Sequence, residues 1–183
     1  MELYLIRHTT PLIEKGICYG QTDIPLAESF PDEANKLLPF LPETVDAVFS
    51  SSSNRCIKLA RLIKSERIII DNRLLEMNFG DWEMKKWDDI DKENLDKWMN
   101  DFVNVRVPNG ENFIDLSDRV NRFIDDLTQR RYNRIAIVSH AGVIRSFISK
   151  ILEKPLEKAF ELKVNYCSVT KINLVTRTAE QII

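Results

Sequence analysis

Short apolar runs alternate along the chain with longer segments in which apolar residues recur every three or four positions. Four runs rich in Val, Ile, Leu and Phe predict β-strands: Leu3–Arg7, Val45–Ser50, Arg67–Asp71 and Arg134–Ser139. Three segments with helical periodicity are Asp32–Leu38, Ser53–Lys64 with Ile57, Ala60 and Ile63 on one side, and Glu111–Arg130 with a stripe of Phe113, Leu116, Val120, Phe123, Ile124 and Leu127. Predicted strands therefore alternate with predicted helices.

This order of elements indicates the α/β class. Because helices connect successive strands, we expect a three-layer α/β/α sandwich with a mostly parallel sheet and a site beyond the carboxyl ends of the strands. With 183 residues, the chain suits a single domain, 1–183. Two regions depart from the alternation. An acidic stretch with three tryptophans, at about 81–107, is interpreted as a helical excursion, and Leu162–Val175 as two antiparallel edge strands around Asn165 and Tyr166.

Composition and charge exclude several classes of protein. Hydrophobic residues make up 44% of the chain and charged residues 30%, which is typical of a folded globular protein. The net charge of −2 gives no general attraction to nucleic acid or to an anionic membrane, so we expect neither as a partner. There is no signal-peptide or membrane-spanning run, and the three widely spaced cysteines indicate neither disulfides nor zinc. We expect a cytoplasmic protein.

The chemistry-bearing residues cluster at predicted strand ends. The only two histidines, His8 and His140, each follow a predicted strand directly, so two parallel strands could place them in one crevice. Arg7 adjoins the first histidine, and Arg55 lies in the first turn of a predicted helix. Guanidinium groups and helix N-termini both suit phosphate, so these residues could form an anion cradle. Taken alone, the segment favours a helix-surface position for Arg55, and turn and N-cap roles for the serines before it.

Four sequence blocks resemble the histidine phosphatase superfamily, also called phosphoglycerate mutase-like. They are Arg7-His8 after a strand, the Ser-x-x-x-Arg-x-x-x-x-Ala segment from Ser51 to Ala60, the acid-bearing segment from Leu75 to Glu83, and the second-histidine segment from Val138 to Arg145. Within that superfamily, the segment from Gly16 to Leu26 and Thr9 are similar to α-ribazole phosphatases, which dephosphorylate α-ribazole 5′-phosphate in cobalamin nucleotide-loop assembly. The resemblance implies the phosphoglycerate mutase-like version of the α/β fold.

The resemblance also implies a role for each site residue. His8 would accept the phosphoryl group as a phosphohistidine, and Glu76 would protonate the leaving oxygen and later activate water. Arg7, Arg55 and a protonated His140 would hold the phosphate. Residues expected to contact substrate are Arg7, Thr9, Tyr19, Gln21, Thr22, Arg55 and Ala141, and the tryptophan stretch is expected at the entrance. We expect no metal and no cofactor, because the positive side chains would supply the charge.

Three positions depart from the usual pattern of the family. Thr9 replaces a common glycine, Glu14 stands where many members carry an asparagine that helps to hold phosphate, and Met84 stands where glycine is usual. None of these changes removes a residue that the chemistry requires. The Glu14 difference leaves one phosphate contact open.

Several functions remain open from the sequence. The favoured one is a metal-independent phosphomonoesterase that acts on a small phosphorylated metabolite, α-ribazole 5′-phosphate first. The alternatives are a phosphatase of another small metabolite, a phosphoglycerate mutase, and a non-catalytic phosphate-binding module. The mutase is less favoured because 183 residues leave little room for the insertions that close over its substrate. The sequence does not indicate the oligomeric state.

Overall fold

A computed structural model describes all 183 residues, and one sheet forms their centre. Its strands are β1 (Glu2–Arg7), β2 (Ala47–Ser50), β3 (Ile68–Ile70), β4 (Arg134–Ser139), β5 (Val169–Asn173) and β6 (Thr178–Gln181), in the spatial order β3-β2-β4-β1-β5-β6. The first four are parallel, β5 is antiparallel to β1, and β6 is antiparallel to β5. The mostly parallel sheet is confirmed.

Helices cover both faces of this sheet. They are α1 (Phe30–Leu37), α2 (Asn54–Ala60), α3 (Lys92–Asn100), α4 (Phe113–Thr128) and α5 (Ala141–Ile151). Side chains alternate along β1, so that Leu3 and Leu5 pack in the core with α4 and α5, while Tyr4 and Ile6 pack in the core with α1 and α2. The three-layer α/β/α sandwich is therefore confirmed. No helix combines the length and the apolar character that crossing a bilayer requires.

The helices differ from one another in how well the sequence predicts them. The predicted stripe of α4 is buried as expected, and a capping box at Asn112 and Asp115 fixes its start. By contrast, α2 ends at Ala60, and its buried side includes Arg55 and Cys56, whereas Ile57 is partly exposed. The prediction misses α5, a mostly apolar helix in which eight of the eleven residues are buried.

The C-terminal hairpin is present but displaced from its predicted position. Only one strand, β5, lies within the predicted range, and Asn165 and Tyr166 precede it in a turn. The hairpin turn follows Asn173, whose Oδ1 accepts hydrogen bonds from the backbone N–H groups of Val175 (2.9 Å) and Thr176 (3.2 Å). The chain therefore reverses direction at this Asx-type turn after Asn173, and not at Asn165 as predicted.

The excursion at 81–107 is less helical than predicted. Only α3 is an α-helix there, and the rest is turns and single-turn 3-10 helices. Trp82 and Trp98 are 4% and 8% exposed, and their rings pack edge to face at 5.8 Å within a cluster that includes Phe79 and Trp87. The expectation that this stretch lines the entrance is wrong for Trp82 and Trp98. Trp82 and Trp98 instead extend the main hydrophobic core into this segment.

Candidate active site

The two histidines meet because their strands are neighbours. Strands β1 and β4 pair in parallel with Arg7 opposite Ser139, so His8 and His140 leave the same edge of the sheet side by side. The backbone N–H of His8 donates to the carbonyl of Ser139 at 3.1 Å, which extends the pairing by one residue. The imidazole ring centroids lie 5.1 Å apart. The predicted juxtaposition of the two side chains is confirmed.

His8 is buried as a neutral imidazole of defined tautomer. Its ring is 2% exposed, and Nδ1 lies 2.7 Å from the carbonyl oxygen of Thr9. A carbonyl can only accept a hydrogen bond, so Nδ1 carries the proton and Nε2 keeps its lone pair. Burial and the charges of Arg55 and Arg7 lower the pKa of His8, the hydrogen bond to Thr9 opposes them, and the result is a pKa of about 3. The ring therefore has the form that a nucleophilic nitrogen requires.

His140 lies deeper than His8 and is 0% exposed. Its Nε2 is 2.9 Å from Ser51 Oγ, and its Nδ1 is 3.4 Å from Nη2 of Arg55. Burial lowers the pKa of His140 well below its usual range, and the nearby positive charge of Arg55 acts in the same direction. The residues around the ring thus favour the neutral form. Protonation of His140 beside a phosphate dianion stays a prediction.

Arg55 is fully buried without a carboxylate partner. It is 0% exposed, and it donates to two backbone carbonyls, that of Thr22 from Nη1 (2.8 Å) and that of Gly20 from Nη2 (2.6 Å). No Asp or Glu oxygen lies within 4.0 Å, since Arg55 takes part in none of the ion pairs of the chain. The helix-surface interpretation of Arg55 is wrong. A buried cation without a counter-charge is costly, and an incoming anion would offset that cost.

Arg7 provides a second cation without a carboxylate partner. Its Nη1 donates to the carbonyl of Val164 at 2.6 Å, and its guanidinium carbon lies 3.8 Å from the ring centroid of Tyr166. The Nε atoms of Arg7 and Arg55 are both buried without a hydrogen-bond partner. The Tyr166 ring also lies 5.6 Å from that of His8, centroid to centroid. Tyr166 is therefore a site residue that the sequence analysis missed, and only the pairing of β5 with β1 brings it there.

Glu76 reaches the same edge of the sheet through a fixed carboxylate. Its Oε1 accepts from the backbone N–H of Met77 (2.9 Å), and its Oε2 accepts from that of Gly142 (3.2 Å). A Cβ atom on Gly142 would lie 2.3 Å from Oε1, so only glycine fits at the start of α5 beside this carboxylate. The second-histidine segment thus also positions Glu76.

Arg119 on α4 holds the backbone that carries Glu76. It donates to the carbonyl oxygens of Arg73 (2.8 Å), Leu75 (2.6 Å) and Glu76 (2.9 Å), and its charge is balanced by Glu111 at 3.0 Å. Sequence reasoning missed Arg119, because in a helical pattern it looks like an ordinary residue of the polar side.

Gln21 and Thr22 are held inside the site by Glu83. The Glu83 carboxylate accepts from the backbone N–H groups of Gln21 (2.9 Å), Thr22 (2.7 Å) and Phe79 (3.1 Å), and from the Thr22 hydroxyl. Burial raises the pKa of Glu83, but these hydrogen bonds outweigh burial and lower it overall. Glu83 is thus a poor proton donor. The Gln21 side chain donates to the carbonyl of Glu76 at 3.0 Å, so Gln21 and Thr22 frame the site, and their contact with substrate stays a prediction.

The remaining candidate residues lie around this centre. Thr9 is 0% exposed with an unpartnered hydroxyl, and Ala141 is the first residue of α5. The Tyr19 hydroxyl hydrogen-bonds to that of Tyr166, and its ring lies 5.5 Å from the guanidinium carbon of Arg55. Glu14, by contrast, is an exposed residue that pairs with Lys86 at 3.4 Å.

The backbone conformation explains why the Met84 position usually carries glycine. Met84 has φ 66°, a left-handed conformation that glycine adopts more easily, which accounts for the usual glycine there. Cys18 and Cys56 are 0% exposed, and burial raises the pKa of each thiol to about 12, so both are unreactive packed residues.

Comparison with known proteins agrees with this geometry. The sequence model of the histidine phosphatase superfamily (branch 1) matches residues 3–181. The chain belongs to the histidine phosphatase superfamily. It is 36% identical over 174 residues to the adenosylcobalamin/alpha-ribazole phosphatase of Escherichia coli K12, with 90% of this chain and 86% of that protein covered. The sequence resemblance to this superfamily is therefore confirmed.

Other members of the superfamily share the fold and most of the length. The crystal structure of the alpha-ribazole phosphatase from Shigella flexneri superposes with a TM-score of 0.90 at 33% identity, covering 100% of this chain and 95% of that one. A probable phosphoglycerate mutase from Shigella boydii is 31% identical over 186 residues, covering 94% of this chain and 85% of that protein. The phosphoglycerate mutase-like fold is thus confirmed, and the relatives include proteins named as phosphatases and as probable mutases.

Proposed function

We propose that this histidine phosphatase hydrolyses phosphate monoesters through a phosphohistidine at His8, with α-ribazole 5′-phosphate as its main substrate. The observation that carries the reaction is the neutral His8, whose free Nε2 lies in a site with two guanidinium groups that lack carboxylate partners. The substrate is supported by similarity to alpha-ribazole phosphatases in sequence and in structure. The ligand is therefore a small phosphorylated metabolite.

The first half of the reaction transfers the phosphoryl group to the enzyme. The lone pair of His8 Nε2 forms a bond to phosphorus while the bond from phosphorus to the ester oxygen breaks. Glu76 gives its proton to the departing oxygen, so an alcohol leaves rather than an alkoxide. The Nδ1–H of His8 stays bonded to the Thr9 carbonyl, which stabilises the positive ring that forms on phosphorylation.

The second half regenerates the enzyme. Glu76, now a carboxylate, takes a proton from water, the water oxygen bonds to phosphorus, and the bond from phosphorus to His8 Nε2 breaks. Inorganic phosphate leaves, Glu76 is again protonated, and His8 is again neutral. Arg7, Arg55 and His140 hold the phosphoryl oxygens in both halves. The phosphate dianion favours a proton on His140, whereas burial and the nearby arginines disfavour it.

A phosphoglycerate mutase is the second candidate, because relatives at 31% identity are named as probable phosphoglycerate mutases. A mutase returns the phosphoryl group to a second hydroxyl and must exclude water meanwhile. The two activities differ in their products with 3-phosphoglycerate. Hydrolysis releases inorganic phosphate, whereas mutase activity gives an isomer without net phosphate release.

A substrate panel tests the proposal directly. We expect the highest kcat/KM for α-ribazole 5′-phosphate, lower values for phosphoserine and 3-phosphoglycerate, and unchanged activity in EDTA. His8→Ala serves as the control for contaminating phosphatases and is expected to be inactive. A higher kcat/KM for another ester would replace the substrate assignment, and activity that survives in His8→Ala would remove His8 from the nucleophile role.

A further inference from the structure

Ser51 occupies a position in the site that its sequence context does not explain. It follows β2 directly, is 0% exposed, and places its Oγ 2.9 Å from Nε2 of His140. The helix cap is a different residue: Ser53 is the N-cap of α2, forms no side-chain capping bond, and has an unpartnered hydroxyl. Ser51 Oγ also accepts a longer hydrogen bond from the backbone N–H of Ser53 (3.3 Å), so the hydroxyl links the second histidine to the start of α2.

The direction of that hydrogen bond follows from the other side of the ring. Nη2 of Arg55 lies 3.4 Å from Nδ1 of His140, and a guanidinium can only donate, so Nδ1 accepts with its lone pair. The single proton of neutral His140 is therefore on Nε2, where it donates to Ser51 Oγ. The other atom near Nε2, Cys56 Sγ at 3.5 Å, is a weak acceptor. Ser51 is the strong partner.

The two histidines consequently carry their protons on opposite nitrogens. His8 donates from Nδ1 to the Thr9 carbonyl and leaves Nε2 free, whereas His140 donates from Nε2 to Ser51 and leaves Nδ1 free beside Arg55. One ring thus presents a nucleophile, and the other presents a nitrogen that can receive a proton next to a phosphate-binding guanidinium.

We propose that Ser51 is the positioning residue of His140: by accepting the Nε2–H bond, it holds the ring so that Nδ1 faces the phosphoryl oxygens beside Arg55. When His140 gains its second proton, Ser51 continues to bind Nε2–H and the new Nδ1–H donates to phosphate. The catalytic consequence rests on the proposed function, whereas the hydrogen bond itself does not.

Nuclear magnetic resonance of the ring N–H protons tests the hydrogen bond without any substrate. The chain has only two histidines, so we expect two slowly exchanging ring N–H signals at neutral pH, from Nδ1 of His8 and Nε2 of His140. Ser51→Ala should lose the His140 signal through solvent exchange and keep that of His8. Ser53→Ala, which removes a neighbouring hydroxyl without a partner, should keep both.

Kinetics of the same variants test the catalytic consequence. Ser51→Ala should lower kcat/KM about 10- to 100-fold, the range for losing a hydrogen bond to a charged group, and Ser51→Thr, which keeps the oxygen, should restore most of it. A His140 signal that persists in Ser51→Ala, or that sits on Nδ1 in the wild type, would overturn the positioning role. So would equal losses in Ser51→Ala and Ser53→Ala. The N–H signals test the hydrogen bond whether or not the protein is a phosphatase. A failure of the Ser51 proposal can therefore be distinguished from a failure of the proposed function.

Discussion

Arg55 and Arg73 contrast two ways in which this fold uses a guanidinium group. Arg73 donates to Asp71 at 2.7 Å and to Asp126 at 2.6 Å, so two carboxylates balance its charge. Arg55 is more deeply buried, yet its protein partners are two carbonyl oxygens and the His140 ring. The first arginine ties a loop to α4, whereas the second is left with an unbalanced positive charge.

Arg7 and Arg119 also differ in whether a carboxylate balances their charge. Arg119 has Glu111 at 3.0 Å, and Arg7 has a carbonyl and a tyrosine ring but no carboxylate. The arginines beside His8 therefore attract a further anion, and those around the acid-bearing segment do not. An arginine that binds an anionic ligand thus differs from a structural arginine in lacking a carboxylate partner. Neither its burial nor its position in a helix or strand makes that distinction.

The largest expected effect comes from removing the unbalanced charge. Arg55→Ala should cost roughly 2–4 kcal/mol of transition-state stabilisation in kcat/KM, because a charged donor to the developing phosphoryl anion is lost. Saturating vanadate, at about 100 times its Kd, should raise the unfolding free energy of the wild type by about 2.7 kcal/mol and that of Arg55→Ala far less. A decrease in kcat/KM below about tenfold, with vanadate stabilisation intact, would make Arg55 a structural residue like Arg73.

The next effect concerns the pH dependence of stability. The folded pKa of His8 is about 3, because burial and then the charges of Arg55 and Arg7 lower it. The unfolded chain binds this proton near pH 6.5, so the stability present above that pH is lost progressively as the pH falls toward 3. At pH 5 the loss from His8 should be about 2 kcal/mol. Urea unfolding at pH 7 and pH 5 should show a smaller loss in His8→Asn, and equal losses in variant and wild type would contradict the depressed pKa.

The smallest expected effect comes from the balanced arginine, which is the matched control for Arg55. Arg73→Ala should lower the unfolding free energy by about 1–2 kcal/mol, because Asp71 loses its partner in a partly buried position. Its kcat/KM should stay within about threefold of wild type, and vanadate should stabilise it as it does the wild type. A loss of activity comparable to that of Arg55→Ala would erase the distinction between the two arginines.

The strand pattern predicts the two histidines well, because it depends on local information. An apolar run that ends in a histidine marks a strand end, and parallel strands bring such ends to one edge of the sheet. His8 and His140 could therefore be paired although 131 residues lie between them in the chain. The family blocks add Arg55 and Glu76, whose own segments look like a surface helix and an acidic loop.

The rest of the site depends on contacts between distant segments. Arg55 is buried because the loop that contains Gly20 and Thr22 covers it and accepts its hydrogen bonds. Nothing in the sequence of helix α2 indicates that this loop lies there. Tyr166 reaches Arg7 only because β5 pairs with β1, and the displaced C-terminal hairpin shows how poorly that register can be predicted. Ser51 looks like a turn residue until the His140 ring lies beside it.

The most direct test of the central claim is rapid-quench trapping with a ³²P-labelled phosphomonoester. We predict that one phosphoryl group per chain appears on His8 during the first turnover, that the label is stable in base and labile in acid, and that His8→Ala takes up none. Label on a carboxylate or a hydroxyl, or multiple turnovers with no labelled enzyme at any time, would contradict the phosphohistidine mechanism.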